Sequence, residues 1–224
     1  MQPNPLIPIF PLPLVALPGE TVPLHIFEER YQEMIAFCRA AKANGKFHGF
    51  GIVQEQENRV FEVGCVVEIN AVIREYGDGR LDIVTVGTQR FKVEEIFDEQ
   101  SYYTARVGFF EDKGEPVDPK IKAAVAQTYQ RLIDLMGQYG RPVDRVSQND
   151  AEPEAFQLGG ELGLELSLKQ RLLEMDSETV RLEVLNEHMN QLVPALEAQL
   201  EKRRQTTQQR KKVEGNGHLN GDLN

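Results

Sequence analysis

The feature that most constrains the fold is a series of short apolar segments, broken by prolines, near the start of the sequence. Residues 14–17 and 22–27 are largely apolar and of strand length, and the dipeptide Pro18-Gly19 lies between them. Proline presets its φ angle and glycine accepts a positive φ, so this dipeptide predicts a tight turn. Pro23 lacks a backbone N–H, so the strand that contains it is expected to lie at the edge of a sheet or to start late.

The apolar period changes from a strand pattern to a helical pattern at Glu28. From there, apolar residues recur three and four positions apart, which is the spacing of one helix face. These residues are Tyr31, Met34, Ile35 and Cys38. The helix is predicted over residues 28–43 and ends at Asn44-Gly45, because glycine suits the left-handed position after a helix. The segment as a whole predicts a strand, a turn, a second strand and a helix.

The middle of the chain has the clearest strand signals. In residues 67–74 every second side chain is apolar, which is typical of a half-buried strand. The Asp78-Gly79 pair that follows predicts a hairpin turn. Further strand segments are residues 6–10, 48–53, 60–63, 81–88, 91–97 and 102–110. Consecutive strands joined by short turns predict a largely antiparallel sheet curled into a barrel.

The character of the sequence becomes helical from residue 118. Asp118 suits the position before a helix and Pro119 suits its first turn. Ser167 and Gln170 have the spacing of a capping box, which predicts the start of a short helix. Ser177 predicts the start of the last helix.

These patterns divide the chain into three parts and predict an α+β protein. Residues 1–112 form the predicted β-barrel domain, and residues 117–200 form a predicted α-helical bundle. Residues 201–224 contain Gln, Asn, Gly and charged residues with almost no apolar ones. Such a composition predicts a disordered tail.

Charge and composition limit the classes of partner. The chain has 224 residues and a net charge of −10. Residues 201–224 hold six basic and three acidic residues, a net of +3, so the first 200 residues carry −13. Such an acidic body disfavours a phosphate backbone as the main partner. No run of about 18 apolar residues occurs, so no membrane span is predicted.

The start of the sequence also bears on location. It has no basic residue ahead of the apolar region, which predicts neither a signal peptide nor a transit peptide. Cys38 and Cys65 lie far apart among apolar residues and are expected to be buried thiols. The sequence therefore predicts a cytoplasmic protein.

The sequence lacks the motifs that mark common catalytic sites. The chain has no GxxxxGK[ST] phosphate loop and no GxGxxG motif. The four histidines are isolated, and His25, on a predicted strand, is expected to be structural, either hydrogen-bonded or at the surface. The predicted site therefore has no catalytic residue, no cofactor and no metal ion.

Several segments together carry a family resemblance. They are residues 9–12, 17–20, 23–31, 63–69, 78–81, 87–91, 169–174 and 181–182. Over residues 6–198 the chain resembles the Lon protease N-terminal, or substrate-binding, domain family, and it is identified as a stand-alone bacterial member. The resemblance implies a PUA-like β-barrel followed by a helical bundle. It also implies binding of polypeptide substrates or partner proteins, without the ATPase and protease segments of Lon.

The motif that follows the second strand supplies the candidate binding residues. Phe27, Glu28, Arg30 and Tyr31 are expected to contact unfolded or partner polypeptides. In the other interpretation, Phe27 and Tyr31 pack the first helix on the barrel and Arg30 pairs with a carboxylate at the corner. Two other functions stay open, namely a PUA-like RNA-binding protein and a small-molecule-binding protein with a pocket between barrel and bundle. A homodimer also stays open.

Overall fold

The computed structural model describes residues 4–57, 59–139 and 154–217, and the side chains up to residue 209. The elements in chain order are β1 (Leu6–Leu12), β2 (Thr21–Ile26), α1 (Glu29–Ala43), β3 (Phe50–Gln56), β4 (Arg59–Glu75), β5 (Leu81–Phe97), β6 (Thr104–Phe109), α2 (Pro119–Gln138), α3 (Ala155–Glu161), α4 (Leu166–Glu174) and α5 (Glu178–Gly217). The predicted α+β class is confirmed. In the described part of the chain, no helix combines the length and the apolar character that crossing a bilayer requires.

The chain divides into two compact units. The sheet unit contains all six strands, α1, α3, α4 and the start of α5 through Arg181. The helical unit contains α2 and the rest of α5 from Leu182. This division differs from the predicted helical domain of residues 117–200, because α3 and α4 belong with the strands. Gln170 of α4 shows why, since its amide donates to the Val63 carbonyl of β4 over 3.1 Å.

Five of the six strands form a closed ring. β1 pairs with β3 and β6, β4 lies between β3 and β5, and β5 pairs with β6. These pairs are antiparallel except β1–β3, which is parallel. A parallel pair needs a long crossover connection, and here β2 and α1 provide it. The ring agrees with the predicted barrel, and the parallel pair was not predicted.

Strand β2 lies outside the ring and pairs with β5 alone in the described part of the chain. The predicted strand over residues 14–17 is wrong, because this segment is a loop bound to β5. Gly19 has the expected positive φ of 78°, and its N–H donates to the Gly87 carbonyl over 2.8 Å. The Gly87 N–H in turn donates to the Glu20 carbonyl over 2.9 Å. A Cβ atom at Gly87 would lie 2.1 Å from the Leu17 carbonyl oxygen, so only glycine fits there.

The predicted hairpin at Asp78-Gly79 joins two strands of 17 residues each. Gly79 has a φ of 90°, and its N–H donates to the Tyr76 carbonyl over 3.1 Å. The strands predicted separately over residues 60–63 and 67–74 are both parts of β4. Register shifts along the β4–β5 pair keep these long strands paired while they bend around the ring.

Two apolar clusters lie on opposite faces of the strands. One cluster takes residues from all five ring strands, which places it inside the ring. Its buried members are Ile7, Ile9, Val53, Val66, Phe91, Ala105 and Val107. The other cluster joins the outer faces to α1 through Tyr31, Met34 and Ile35. Cys38 and Cys65 are buried there, as predicted, and burial raises the pKa of each thiol to about 12.

Two buried arginines, one on β5 and one near the start of α5, share a carboxylate within the sheet unit. Arg90 of β5 is 4% exposed and Arg181 of α5 is 1% exposed. Asp112 accepts hydrogen bonds from Arg90 Nη2 over 2.5 Å and from Arg181 Nη1 over 2.8 Å. Glu178 accepts from Arg181 Nη2 over 2.7 Å. The Phe156 ring lies 4.2 Å from Arg181 Cζ and 5.3 Å from Arg90 Cζ. We call these five residues the arginine cluster.

The charge balance of the arginine cluster depends on Asp112. Burial alone would raise the pKa of this carboxyl group. The hydrogen bond and charge of Arg181, together with those of Arg90, outweigh burial and hold the pKa of Asp112 below its usual value. The carboxylate is therefore the stable form of Asp112 beside the two guanidinium groups.

Helix starts were predicted with mixed success. Asp118 Oδ1 accepts from the Lys120 N–H over 2.8 Å, and Pro119 is the first residue of α2, which confirms this start. The predicted capping box is wrong, because α4 begins at Leu166 and its Ser167 already lies in the first turn. Gln170 does not cap the helix, because its amide donates to a carbonyl oxygen of β4 and to the Glu174 carboxylate.

The last helix differs from the prediction of a tail. α5 continues through Gly217, so residues 201–217 are helical, and residues 218–224 lie outside the described residues. Thr206 and Thr207 donate to the carbonyl oxygens one turn earlier, and Gln205 donates to Glu201 over 3.0 Å. Glu, Lys, Arg and Gln are good helix formers, so a polar composition here does not mean a loss of helix.

Candidate functional site

The four predicted binding residues lie at the corner between β2 and α1. Glu28 precedes α1 with extended backbone angles, φ −77° and ψ 135°. Phe27 is 60% exposed, whereas Tyr31 is 4% exposed and packs against Phe10 with 3.9 Å between ring centroids. The expectation that Tyr31 contacts a partner does not fit this burial. Its ring holds α1 on the sheet, as the packing interpretation expected.

Glu28 and Arg30 brace the same corner. Arg30 Nη2 lies 2.8 Å from Glu28 Oε2, and the Arg30 guanidinium carbon is 4.6 Å from the Tyr31 ring centroid. The two side chains of this ion pair are each about 40% exposed. They stabilise the turn from strand to helix, and Phe27 is the one predicted residue whose apolar side chain faces solvent.

Phe27 belongs to a larger group of exposed and half-buried side chains. The rings of Phe27 and His25 are stacked, 6.0 Å apart and inclined by 21°. Asp82 lies beside them, since His25 Nδ1 is 2.6 Å from Asp82 Oδ1 and the Tyr76 hydroxyl donates to Asp82 Oδ2 over 2.7 Å. The guanidinium carbons of Arg74 and Arg80 are 4.6 Å and 4.9 Å from the Tyr76 ring centroid. We define the Phe27 surface as His25, Phe27, Arg74, Tyr76, Arg80 and Asp82.

Strand register brings these residues together. His25 of β2 is paired with Asp82 of β5, and Asp82 is paired with Arg74 of β4, so the three side chains form a row across the sheet. The row lies beside the β4–β5 turn, which supplies Tyr76 and Arg80. Side chains at paired positions of neighbouring strands lie on one face of the sheet, where they interact directly.

Helix α1 fixes the position of Phe27 from the other side. The Gln32 amide donates to the Phe27 carbonyl over 3.0 Å. Gln32 also lies against the hairpin turn, because a Cβ atom at Gly79 would lie 2.5 Å from Gln32 Oε1. The Phe27 backbone is therefore held between β2, α1 and the turn.

The electrostatics of the Phe27 surface keep Asp82 charged. The hydrogen bond from His25, followed by that from Tyr76, holds the pKa of Asp82 below its usual value. The same bond to Asp82 raises the pKa of the Tyr76 hydroxyl. Asp82 is thus a carboxylate and Tyr76 a neutral phenol at pH 7. The surface offers exposed aromatic area bordered by guanidinium groups, an arrangement that can hold apolar and charged side chains.

The sequence did not point to most of this surface. His25 was expected to be a bonded or exposed structural residue, and it is both. Tyr76 and Asp82 had no assigned role, because they meet His25 only through the β2–β5 pairing, which joins residues 57 positions apart. The described residues contain no group of three or more His, Cys, Asp or Glu side chains placed to hold a metal ion.

Solved structures have the same fold. The chain matches a Lon N-terminal domain protein from Xanthomonas campestris with a TM-score of 0.59 and 24% identity, over 81% of this chain and 96% of that one. It matches the N-terminal domain of the Lon protease of Mycobacterium avium complex with a TM-score of 0.61 and 20% identity, over 83% and 98% of the two chains.

Sequence comparison gives the family. Lon protease of Cytophaga hutchinsonii is 25% identical over 213 residues, which are 88% of this chain and 25% of that protein. Lon protease of Solibacter usitatus is 26% identical over 133 residues, which are 57% of this chain and 16% of that protein. The chain thus spans a quarter or less of these relatives. The model of the ATP-dependent protease La (LON) substrate-binding domain matches residues 6–191. The chain therefore belongs to the LON substrate-binding domain family.

Proposed function

We propose that this chain binds polypeptide segments through the Phe27 surface and performs no chemistry of its own. The family is described as a substrate-binding domain, and the relatives that share it are proteases, whose substrates are polypeptides. The observation that carries the proposal is Phe27, a large apolar side chain that is 60% exposed at a rigid corner. Burying such a side chain against a partner contributes about 1.5–3 kcal/mol.

The Phe27 surface is ordered before a partner arrives. Its central ring is stacked on His25, His25 is bonded to Asp82, and the Phe27 carbonyl is bonded to Gln32. Side chains that are already ordered lose little conformational entropy on binding. An aromatic anchor of this kind gives more affinity than an equal area of mobile side chains.

Strand geometry favours contact through side chains over strand addition. The Gly87 N–H donates to the Glu20 carbonyl, and hydrogen-bonding direction alternates along a strand. Thr21, Pro23 and His25 therefore direct their backbone groups away from β5. Pro23 has no N–H to offer at the centre of this edge, so an added strand would have a gap in its ladder. A bound segment therefore gains most from Phe27 and its neighbours.

The experiment compares two exposed phenylalanines. Phe27→Ala and Phe47→Ala remove similar side chains, 60% and 49% exposed, and Phe47 lies outside the Phe27 surface. A fluorescently labelled, permanently unfolded polypeptide is titrated with each variant, and anisotropy gives the Kd. Phe27→Ala should weaken binding about 10- to 100-fold, and Phe47→Ala should leave it unchanged. Equal affinities of wild type and Phe27→Ala, with circular dichroism showing both folded, would refute the proposal.

A further inference from the structure

We infer that the segments preferred by the Phe27 surface carry an acidic side chain within about four residues of the apolar side chain that contacts Phe27. This inference rests on the proposed function and adds the class of substrate. It depends on the state of Arg74, on its distance from Phe27 and on the charge of the rest of the chain.

The guanidinium group of Arg74 has hydrogen-bond donors that no described residue accepts from. It is exposed, it stacks on the Tyr76 ring at 4.6 Å, and among the described residues it has no hydrogen bond or ion pair. The neighbouring Arg80 differs, because its Nε lies 2.8 Å from Asp78 Oδ2. Asp82, which faces Arg74 in the strand register, already accepts from His25 and Tyr76. The donors of Arg74 are therefore free for a carboxylate, which a guanidinium group binds in two-point geometry.

The distance from Phe27 to Arg74 sets the spacing in the segment. The His25 ring lies 6.0 Å from the Phe27 ring and 6.0 Å from the Tyr76 ring, so the last two rings are within about 12 Å of each other. Arg74 lies over the Tyr76 ring. An extended chain advances about 3.3 Å per residue, so about four residues span this distance. An apolar side chain on Phe27 thus places a carboxylate two to four residues away beside Arg74.

The net charge of the chain restricts the preference for an acidic side chain to one position in the bound segment. The chain carries −10 overall, so an acidic residue elsewhere in a segment is repelled. Only a carboxylate that reaches Arg74 finds a free cation on this surface. The inference therefore requires a dependence on position, and a general attraction to acidic peptides would not satisfy it.

The experiment uses labelled 20-residue peptides with one central Phe. Asp, Asn or Lys is placed three residues from the Phe, and a fourth peptide has its Asp eight residues away. The proteins are wild type, Phe27→Ala, Arg74→Glu and Lys92→Glu. Lys92→Glu is the control, because the Lys92 side chain is 61% exposed and lies ten positions along β5 from Asp82. Circular dichroism confirms folding.

Wild type should bind the near-Asp peptide about three- to fivefold more tightly than the Lys peptide, the effect of one exposed ion pair. Arg74→Glu should reverse this order, and Lys92→Glu should keep it. The far-Asp peptide should bind no better than the Asn peptide. Equal binding of the Asp, Asn and Lys peptides, while Phe27→Ala still weakens all of them, would overturn the inference and leave the proposed function intact. Unchanged binding by Phe27→Ala would overturn both.

Discussion

Replacing Arg181 by Met should destabilise the sheet unit strongly. Arg181 is 1% exposed and makes five hydrogen bonds, to the carboxylates of Asp112 and Glu178 and to the Met175 carbonyl. Methionine fills a similar volume beside Phe156 but donates no hydrogen bond. The variant therefore removes a charged donor from two carboxylates and one carbonyl.

The expected cost follows from the surroundings of those acceptors. Removing one partner of a buried ion pair costs about 3–5 kcal/mol, because a charge stays buried without compensation. Here Asp112 keeps Arg90, and the side chains of Asp112 and Glu178 are 31% and 20% exposed, so water reaches both. We therefore expect the lower end, about 3 kcal/mol. For a chain of this size that corresponds to a fall in Tm of about 6–12 °C.

Far-UV circular dichroism during heating and urea titration measures this effect, since the chain has no tryptophan. Arg106→Met is a matched control, because Arg106 also pairs with a carboxylate and lies over an aromatic ring, but it is 44% exposed. The control should lose about 1 kcal/mol or less. An Arg181→Met chain as stable as the control would show that the arginine cluster does not stabilise the fold in this way.

Three further predictions concern stability. The difference in the free energy of unfolding between wild type and Arg181→Met, measured by urea titration, should be smaller at pH 3 than at pH 7. The pKa of Asp112 is depressed in the folded chain, so the stabilisation by its carboxylate is present above the unfolded value of about 3.9 and is lost as pH falls through the lower folded value. An equal difference at the two pH values would contradict this. Gly87→Ala should cost about 3 kcal/mol, because its Cβ would clash with a carbonyl oxygen, whereas Gly77→Ala, with open space around it, should be nearly neutral in thermal unfolding. Asp118→Ala should cost about 1 kcal/mol of helix stability by loss of the cap, and unchanged ellipticity and Tm would count against that role.

Local signals in the sequence predicted local structure well. The Asp78-Gly79 turn, the Asp118-Pro119 helix start and the helix after Glu28 each depend on a few neighbouring residues. The sequence did not predict structural features that depend on residues distant in the chain. Ser167 and Gln170 had the right spacing for a cap, but the Val63 carbonyl of β4 is the partner that Gln170 contacts. Likewise, no pattern in the residues of β1 or β3 indicates that the two strands pair in parallel.

The candidate site shows the same limit. Phe27 could be identified from its motif, but its exposure and that of Tyr31 differ because one side chain faces solvent and the other faces Phe10. Alternation along a strand predicts two faces, and it does not say which face a neighbouring helix covers. His25, Arg74 and Asp82 come together only through the register of three strands.

Ring closure has a consequence for behaviour at high concentration. Within the described residues, β2 is the only strand with a single partner, so it is the only place where another molecule could extend the sheet into a fibril. Pro23 stands in the middle of that strand and interrupts such stacking. We expect the folded chain to stay dispersed when concentrated, and replacing Pro23 by a β-branched residue should give it a tendency to aggregate.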